Sequence, residues 1–124
     1  MTFCTALNCM DGRIQLPVIK YLQDRFNVEF VDTITEPGMN LILAKQDNTV
    51  LIQSILARLQ ISVENHHSVG VAIVGHHDCA GNRAPKDEQI VHIQDALHYL
   101  RLQYDKMKIL GLWVDKNWEV CEIL

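Results

Sequence analysis

The sequence has no excess of positive charge and no long hydrophobic stretch. Its 11 Lys and Arg residues are outnumbered by 15 Asp and Glu residues, which gives a formal net charge of −4. Because nucleic-acid binding depends on clustered positive charge, this balance argues against nucleic acid as a partner. No apolar run approaches the roughly 20 residues that a membrane-spanning helix needs. We therefore expect no membrane segment.

The sequence also lacks the pattern of a secretion signal, since no basic segment precedes a hydrophobic one at the N-terminus. A cytoplasmic location is the default expectation. In a reducing compartment the few cysteines are expected to be buried thiols or metal ligands rather than a disulfide framework. Two of them, Cys4 and Cys121, stand apart from other ligand-type residues, and we expect both to be buried.

No internal repeat, low-complexity tract or linker divides the 124 residues. The hydrophobic fraction of 48% and the charged fraction of 21% are ordinary for a globular protein. A chain of this length can bury a core of its own. We predict a single domain that spans residues 1–124.

The apolar patterns predict strands that alternate with helices. Alternating or continuous apolar runs predict five strands, at about residues 3–8, 28–34, 69–74, 109–115 and 118–124. Apolar residues three and four positions apart predict three helices. The first starts at about Leu16 with Pro17 in its first turn, and the others span 47–64 and 87–104, with Asn48 or Thr49 as a cap of the second. Residues 36–40 are expected to break the chain without regular structure.

This order of elements predicts an α/β fold with helices on both faces of a mostly parallel sheet. A strand order of 2-1-3-4, with strand 5 as an antiparallel edge strand, satisfies the rules for such crossovers. Strands 1 and 3 are then neighbours whose connections leave in opposite directions. Ligands bind at the carboxyl ends of strands at such a switch point.

Ligand-type residues follow both of these central strands. Cys9 follows the first strand, and His76 and Cys79 lie in the sequence GHHDCAGN (75–82) that follows the third. Zinc accepts two thiolates and one imidazole, and three protein ligands leave a fourth coordination position open. The sequence also permits other interpretations: buried thiols that pack as small hydrophobic groups, a redox pair of Cys9 and Cys79, or a hairpin turn at Asp11.

The runs CMDGR (9–13) and GHHDC (75–79) resemble the two signatures of the β-class carbonic anhydrases, CxDxR and GHxxC. The resemblance extends from about Phe3 to the end of the chain. It implies a lyase that interconverts carbon dioxide and bicarbonate through zinc-bound hydroxide. It also implies a division of roles, with zinc held by Cys9, His76 and Cys79. The catalytic dyad beside the metal would be Asp11 and Arg13.

The resemblance leaves two arrangements of this dyad open. Asp11 either accepts a hydrogen bond from the zinc-bound hydroxide while Arg13 keeps it ionised, or turns onto the zinc as a fourth ligand. His77 is a candidate proton shuttle, because an imidazole titrates near neutral pH. Asp78 is expected to order its loop through hydrogen bonds to nearby backbone.

Several features distinguish this chain from familiar family members. Only eight residues precede Cys9, so we expect a short member without the N-terminal helical arm of the family. Ala80-Gly81 stands where Gly-Gly is more common, and residues 31–43 show no equivalent of the carbon dioxide pocket. The family implies a homodimer or a higher homo-oligomer. Two alternative functions are hydrolysis of a related small electrophile such as carbonyl sulfide, and non-catalytic zinc binding or protein interaction.

Overall fold

Five strands form one sheet in the computed structural model, which describes residues 1–123. Their bounds are β1 Phe3–Asn8, β2 Phe30–Thr35, β3 Gly70–His76, β4 Lys108–Val114 and β5 Val120–Ile123. The strand order is β2-β1-β3-β4-β5, in which the first four are parallel neighbours and β5 is antiparallel to β4. The predicted order and the antiparallel edge strand are confirmed. The end of the fifth predicted strand, Leu124, lies outside the described residues.

Helices connect the parallel strands, and their bounds are α1 Gly12–Phe26, α2 Met39–Lys45, α3 Thr49–Asn65 and α4 Lys86–Gln103. The predicted start of α1 at about Leu16 is wrong, because the helix already begins at Gly12 and Pro17 lies inside it. The reason is local: the Asp11 carboxylate accepts a hydrogen bond from the backbone N–H of Arg13 at 2.9 Å and so caps the helix. Asn48 caps α3 in the same way, as predicted.

The short helix α2 occupies a region where the sequence predicted only a break. It begins after Gly38, which has a φ of 69°. Glycine is favoured at this left-handed conformation because it has no Cβ atom. The helix has seven residues, which is slightly less than two helical turns. A segment this short shows no clear helical periodicity, so the apolar pattern could not identify it.

The helices cover both faces of the sheet, as predicted. Helix α1 packs on one face, where Val18 belongs to the same apolar cluster as Ala72 of β3. Helices α2, α3 and α4 pack on the other, where Leu59 and Ile93 cluster with Ile73. Since consecutive strand residues point to opposite faces, Ala72 and Ile73 assign the two clusters to the two sides. All seven residues of β3 are buried, which accounts for its continuous apolar run.

The four cysteines are free thiols in very different surroundings. Cys4 lies buried in β1, as predicted, and burial raises its pKa to about 12. The predicted burial of Cys121 is wrong, because it lies on the edge strand β5 and is exposed. None of the described helices combines the length and the apolar composition that crossing a membrane requires.

Candidate metal centre

Three potential metal ligands converge at the carboxyl edge of the sheet. Cys9 follows β1, His76 ends β3 and Cys79 lies in the loop after it, and all three are buried. Their sulfur and imidazole nitrogen atoms lie within 4.8 Å of one another. Among the described residues, no other His, Cys, Asp and Glu side chains form such a group. The structure therefore brings together the three residues that the sequence placed at the switch point.

The spacing of the two sulfur atoms suits a tetrahedral metal ion. The Cys9 Sγ and Cys79 Sγ atoms are 3.8 Å apart. Two sulfurs that each lie about 2.3 Å from zinc, at the tetrahedral angle, are separated by about 3.8 Å. A disulfide would require about 2.05 Å. The pair thus has the separation of two ligands of one ion.

The imidazole of His76 presents a free nitrogen to the same point. Its Nδ1 donates to the carbonyl oxygen of His77 at 2.8 Å, and a carbonyl can only accept. In the neutral ring the other nitrogen, Nε2, therefore carries a lone pair. This atom is buried and has no hydrogen-bond partner among the described residues. A buried polar atom without a partner is costly, and coordination of a metal ion would satisfy it.

Without a metal, the thiols of Cys9 and Cys79 differ strongly in acidity. The pKa of Cys9 is lowered to about 4, chiefly because the Cys79 thiol donates a hydrogen bond to it, and the pKa of Cys79 is raised for the same reason. Backbone N–H groups of Gly38 and Asp11 also stabilise the Cys9 thiolate. Backbone N–H groups of Gly81 and Asn82 donate to the sulfur of Cys79. These donors withdraw electron density from the sulfurs, which partly offsets the charge that two thiolates would place on a metal.

Asp11 and Arg13 form a forked ion pair beside this group. The guanidinium Nη2 donates to Asp11 Oδ2 at 2.6 Å, and Nε donates to Asp11 Oδ1 at 3.0 Å. These hydrogen bonds hold the pKa of Asp11 down at about 2, so the carboxylate is ionised at neutral pH. Asp11 is not part of the group of converging ligand atoms.

Arg13 also ties the two halves of the site together. Its Nη1 donates to Asp78 Oδ2 at 3.2 Å and its Nη2 to the Asp78 carbonyl at 3.1 Å. The guanidinium carbon lies 4.6 Å from the ring centre of Trp118. Asp78 thus contacts Arg13 across the site, where the sequence suggested contacts with neighbouring backbone. Trp118 escaped the sequence analysis because its contact depends on the β4–β5 hairpin.

A cleft of about 380 Å³ opens beside the buried group. Arg13, Cys79 and Arg83 are among the residues that line it. A larger cavity of about 440 Å³ lies between α3 and the end of α4 and contains none of the candidate site residues. The exposed His77 lines a separate depression with Lys86 and Trp113, so its role as a proton shuttle stays a prediction.

The loop after β3 packs directly against the start of α2. A Cβ atom on Gly81 would lie 2.4 Å from the Pro37 carbonyl carbon, and one on Gly38 would lie 2.4 Å from the Gly81 oxygen. Among the described glycines only Gly38 has a positive φ, so Gly81 is required for this close approach and not for a left-handed backbone conformation.

Sequence reasoning missed a set of buried and half-buried amide side chains around the site. Gln15 donates to the carbonyls of Cys9 at 2.8 Å and Asp11 at 2.7 Å. Asn40, Asn82 and Gln89 form a hydrogen-bonded cluster on the other side. A usable signal existed for Gln89, because it occupies the helical face that continues with Ile93, Ala96 and Leu100. A polar residue on an inner helical face indicates a specific buried partner.

The sheet order and the buried group of two thiols and an imidazole define the class: an α/β protein with a candidate transition-metal site at the switch point of its sheet. A family model described as "Putative carbonic anhydrase" matches residues 1–124. The chain therefore belongs to this family of carbonic anhydrases. No curated protein matches it in sequence.

Solved structures of carbonic anhydrases share the fold. The carbonic anhydrase from Glaciozyma antarctica has a TM-score of 0.63 and 14% identity, covering 98% of this chain and 81% of its own. The β-carbonic anhydrase CafD of Aspergillus fumigatus has a TM-score of 0.61 and 14% identity. The match covers 100% of this chain and 90% of the CafD chain. One of two tetrameric β-carbonic anhydrases from Sordaria macrospora has a TM-score of 0.55 and 11% identity. The match covers 97% of this chain and 79% of the Sordaria chain. At such identities the likeness concerns the fold.

Proposed function

We propose that this protein is a zinc-dependent carbonic anhydrase that catalyses the reversible hydration of carbon dioxide to bicarbonate. One observation carries the proposal. In a chain of the carbonic anhydrase family, two thiols 3.8 Å apart converge with a buried, unpartnered imidazole nitrogen. Zinc prefers this donor set, and the geometry leaves room for one further ligand.

Cys9, His76 and Cys79 would hold the metal. Bound there, zinc would act as a Lewis acid that makes a nucleophile available from water near neutral pH. The hydrogen bond from His76 Nδ1 to the His77 carbonyl fixes the ring so that Nε2 faces the metal position. The cleft beside Cys79 would admit the small substrate.

Asp11 and Arg13 would act as the catalytic dyad. With its pKa held at about 2, Asp11 is an obligate hydrogen-bond acceptor at neutral pH. It would accept a hydrogen bond that the nucleophile donates. This bond would orient the nucleophile so that its lone pair points towards the substrate carbon. Because both carboxylate oxygens are engaged by Arg13, Asp11 would stay off the metal and leave the fourth position open.

We further propose that residues 1–124 form one domain that assembles as a homodimer or a larger homo-oligomer in the cytoplasm. Such an assembly could cover Met10 and Leu16, whose side chains are 61% and 71% exposed. The free state of all four cysteines fits a reducing compartment. Sedimentation analysis of the purified protein tests the assembly, and a monomer at working concentration would contradict it.

The decisive experiment compares zinc content with turnover in the same preparation. We expect about one zinc per chain by elemental analysis, and stopped-flow hydration that disappears on chelation and returns with zinc. Zinc binding without hydration would indicate the non-catalytic alternative. Faster zinc-dependent turnover of carbonyl sulfide than of carbon dioxide would indicate the other electrophile. Absence of bound zinc would overturn the proposal.

A further inference from the structure

We propose that Gln89 is a positioning residue that holds His76 and the loop carrying Cys79 in the geometry for metal binding. Gln89 lies in the first turn of α4 and is 1% exposed. It touches neither ligand atom, so it would act through the backbone that carries them. The inference rests on the proposed metal site and names the residue that gives this site its shape.

The side-chain amide of Gln89 reaches both ends of the ligand loop. Its Nε2 lies 3.0 Å from the carbonyl oxygen of His76 and 3.2 Å from the carbonyl oxygens of Asn82 and Ala84. His76 is the last residue before the loop, and the other two lie after Cys79. A single donor group therefore fixes the entry and the exit of the loop relative to α4.

The other end of the same amide links the loop to α2. Gln89 Oε1 accepts from Asn40 Nδ2 at 3.2 Å, and Asn40 Oδ1 accepts from Asn82 Nδ2 at 3.2 Å. Asn40 and Asn82 are 1% and 2% exposed. The backbone N–H of Asn82 in turn donates to the sulfur of Cys79. The position of one candidate ligand thus depends on a buried ring of three amides.

The absence of a side chain at Gly75 is an independent sign of the same restraint. A Cβ atom at this position would lie 2.7 Å from Asn40 Nδ2, 2.8 Å from Ile93 Cδ1 and 3.2 Å from Gln89 Oε1. The amide pair and Ile93 therefore occupy the space directly beside the strand residue that precedes His76. A side chain at this position would displace them.

An apolar residue at position 89 would fill the core without the cost of burying an amide. Buried polar groups are tolerated when all their hydrogen bonds are made, and they then impose a defined geometry. Here that geometry is imposed on the end of β3 and on the loop after it, which together carry two of the three candidate ligands. Groups that orient metal ligands from outside the coordination sphere typically change metal affinity about 10–100-fold when they are removed.

The test replaces Gln89 with a side chain of similar length that cannot form these bonds. We expect Gln89→Met to bind zinc about 10–100-fold more weakly than the wild type in competition with a chromophoric chelator. The visible absorption bands of its Co²⁺-substituted form should shift, because the ligand geometry changes. The matched control is Gln53→Met, on the exposed face of α3, which should equal the wild type in both measurements.

A second variant covers the case in which Gln89→Met does not fold. Asn40→Ala leaves Gln89 in place but removes its Oε1 partner, and should weaken zinc binding in the same direction by a smaller factor. Unchanged zinc affinity and an unchanged Co²⁺ spectrum in the folded variant would overturn the inference, even if its melting temperature fell. Tight zinc binding without hydration by the wild type would overturn the proposed function and leave this test intact. Failure of the wild type to bind zinc would overturn both.

Discussion

The two segments that build the site are fixed in different ways. Residues 9–13 are held mainly by charge near the surface, where Arg13 binds Asp11 with its side chain 46% exposed, with an added contact from the amide of Gln15. The loop after β3 is held mainly by neutral amides in the interior, chiefly by Gln89 at 1% exposure, and its exposed Asp78 also contacts Arg13. Exposed ion pairs contribute little stability, whereas buried amides impose a geometry that is costly to break. If the proposed function holds, the charged half would perform the chemistry and the amide half would maintain the shape of the site.

The largest change in zinc affinity should follow from replacing the candidate ligand Cys79, which lies on the amide side of the site. We expect Cys79→Ala to weaken zinc binding by more than about 100-fold, because it removes a coordinating atom rather than an outer support. Chelator competition measures the loss. The exposed thiol of β5 provides the control, and Cys121→Ala should retain wild-type affinity. Equal affinities in the two variants would exclude Cys79 as a ligand.

Neutralising the carboxylate on the charged side should remove activity without removing metal. We expect Asp11→Asn to lower the rate of carbon dioxide hydration about 100-fold or more while the zinc content stays the same. Asparagine can still cap α1, so the local fold is kept. Stopped-flow assays give the rates. Asp78→Asn, which changes the other carboxylate that Arg13 binds, should lose much less, and comparable losses would contradict the assigned role.

Adding one methyl group on the amide side should disturb structure before chemistry. We expect Gly75→Ala to lower the free energy of unfolding of the zinc-free protein by about 1–3 kcal/mol, because the new Cβ atom overpacks Asn40, Ile93 and Gln89. Urea denaturation measures this change. At Gly12 a Cβ atom would meet nothing within 4 Å, so Gly12→Ala should not destabilise the protein. Equal stability of the two variants would refute the packing argument.

The smallest effect concerns the pH dependence of the Asp11–Arg13 pair. The folded pKa of Asp11, about 2, lies below the ordinary carboxyl value of about 3.9, so folding favours the ionised form. The stabilisation is complete above about pH 4 and is lost as the pH falls through about 2. Arg13→Gln removes most of it. The stability difference between the wild type and this variant, in zinc-free protein, should therefore be constant near neutrality and shrink in acid.

A difference that persists unchanged at about pH 2, where the folded carboxyl titrates, would mean that Arg13 stabilises the protein by another route. Its contact with Trp118 is one such route, because the guanidinium lies 4.6 Å from the ring centre whatever the charge of Asp11. Trp118→Leu in both backgrounds separates the two contributions. The pair and the ring contact act independently if the effects of the two substitutions add.

The sequence was informative wherever a feature depends on local periodicity or chain order. The alternation of strands and helices was enough to place β1 beside β3, and hence Cys9 near His76. The cap at Asn48 was visible in the same way. Such features follow from rules that act within a few residues or on the order of elements.

The features that the sequence could not supply depend on contacts between distant segments. The amide ring joins Asn40 to Gln89, which are 49 positions apart, and no local pattern pairs them. The early start of α1 was obscured by Asp11-Gly12, which resembles a turn until the carboxylate is seen to cap the helix. Cys121 was judged by residue type alone, and its exposure follows from its place on the edge strand.

The double use of Asp11 couples two processes that are usually separate. The Asp11 carboxylate, which would face the substrate, also accepts a hydrogen bond from the backbone N–H of Arg13 at the start of α1. Fraying of the first helical turn would therefore also disturb the dyad. Hydrogen exchange at the Arg13 backbone amide should report how often the dyad opens, and a molecule filling the cleft and engaging Asp11 should slow that exchange.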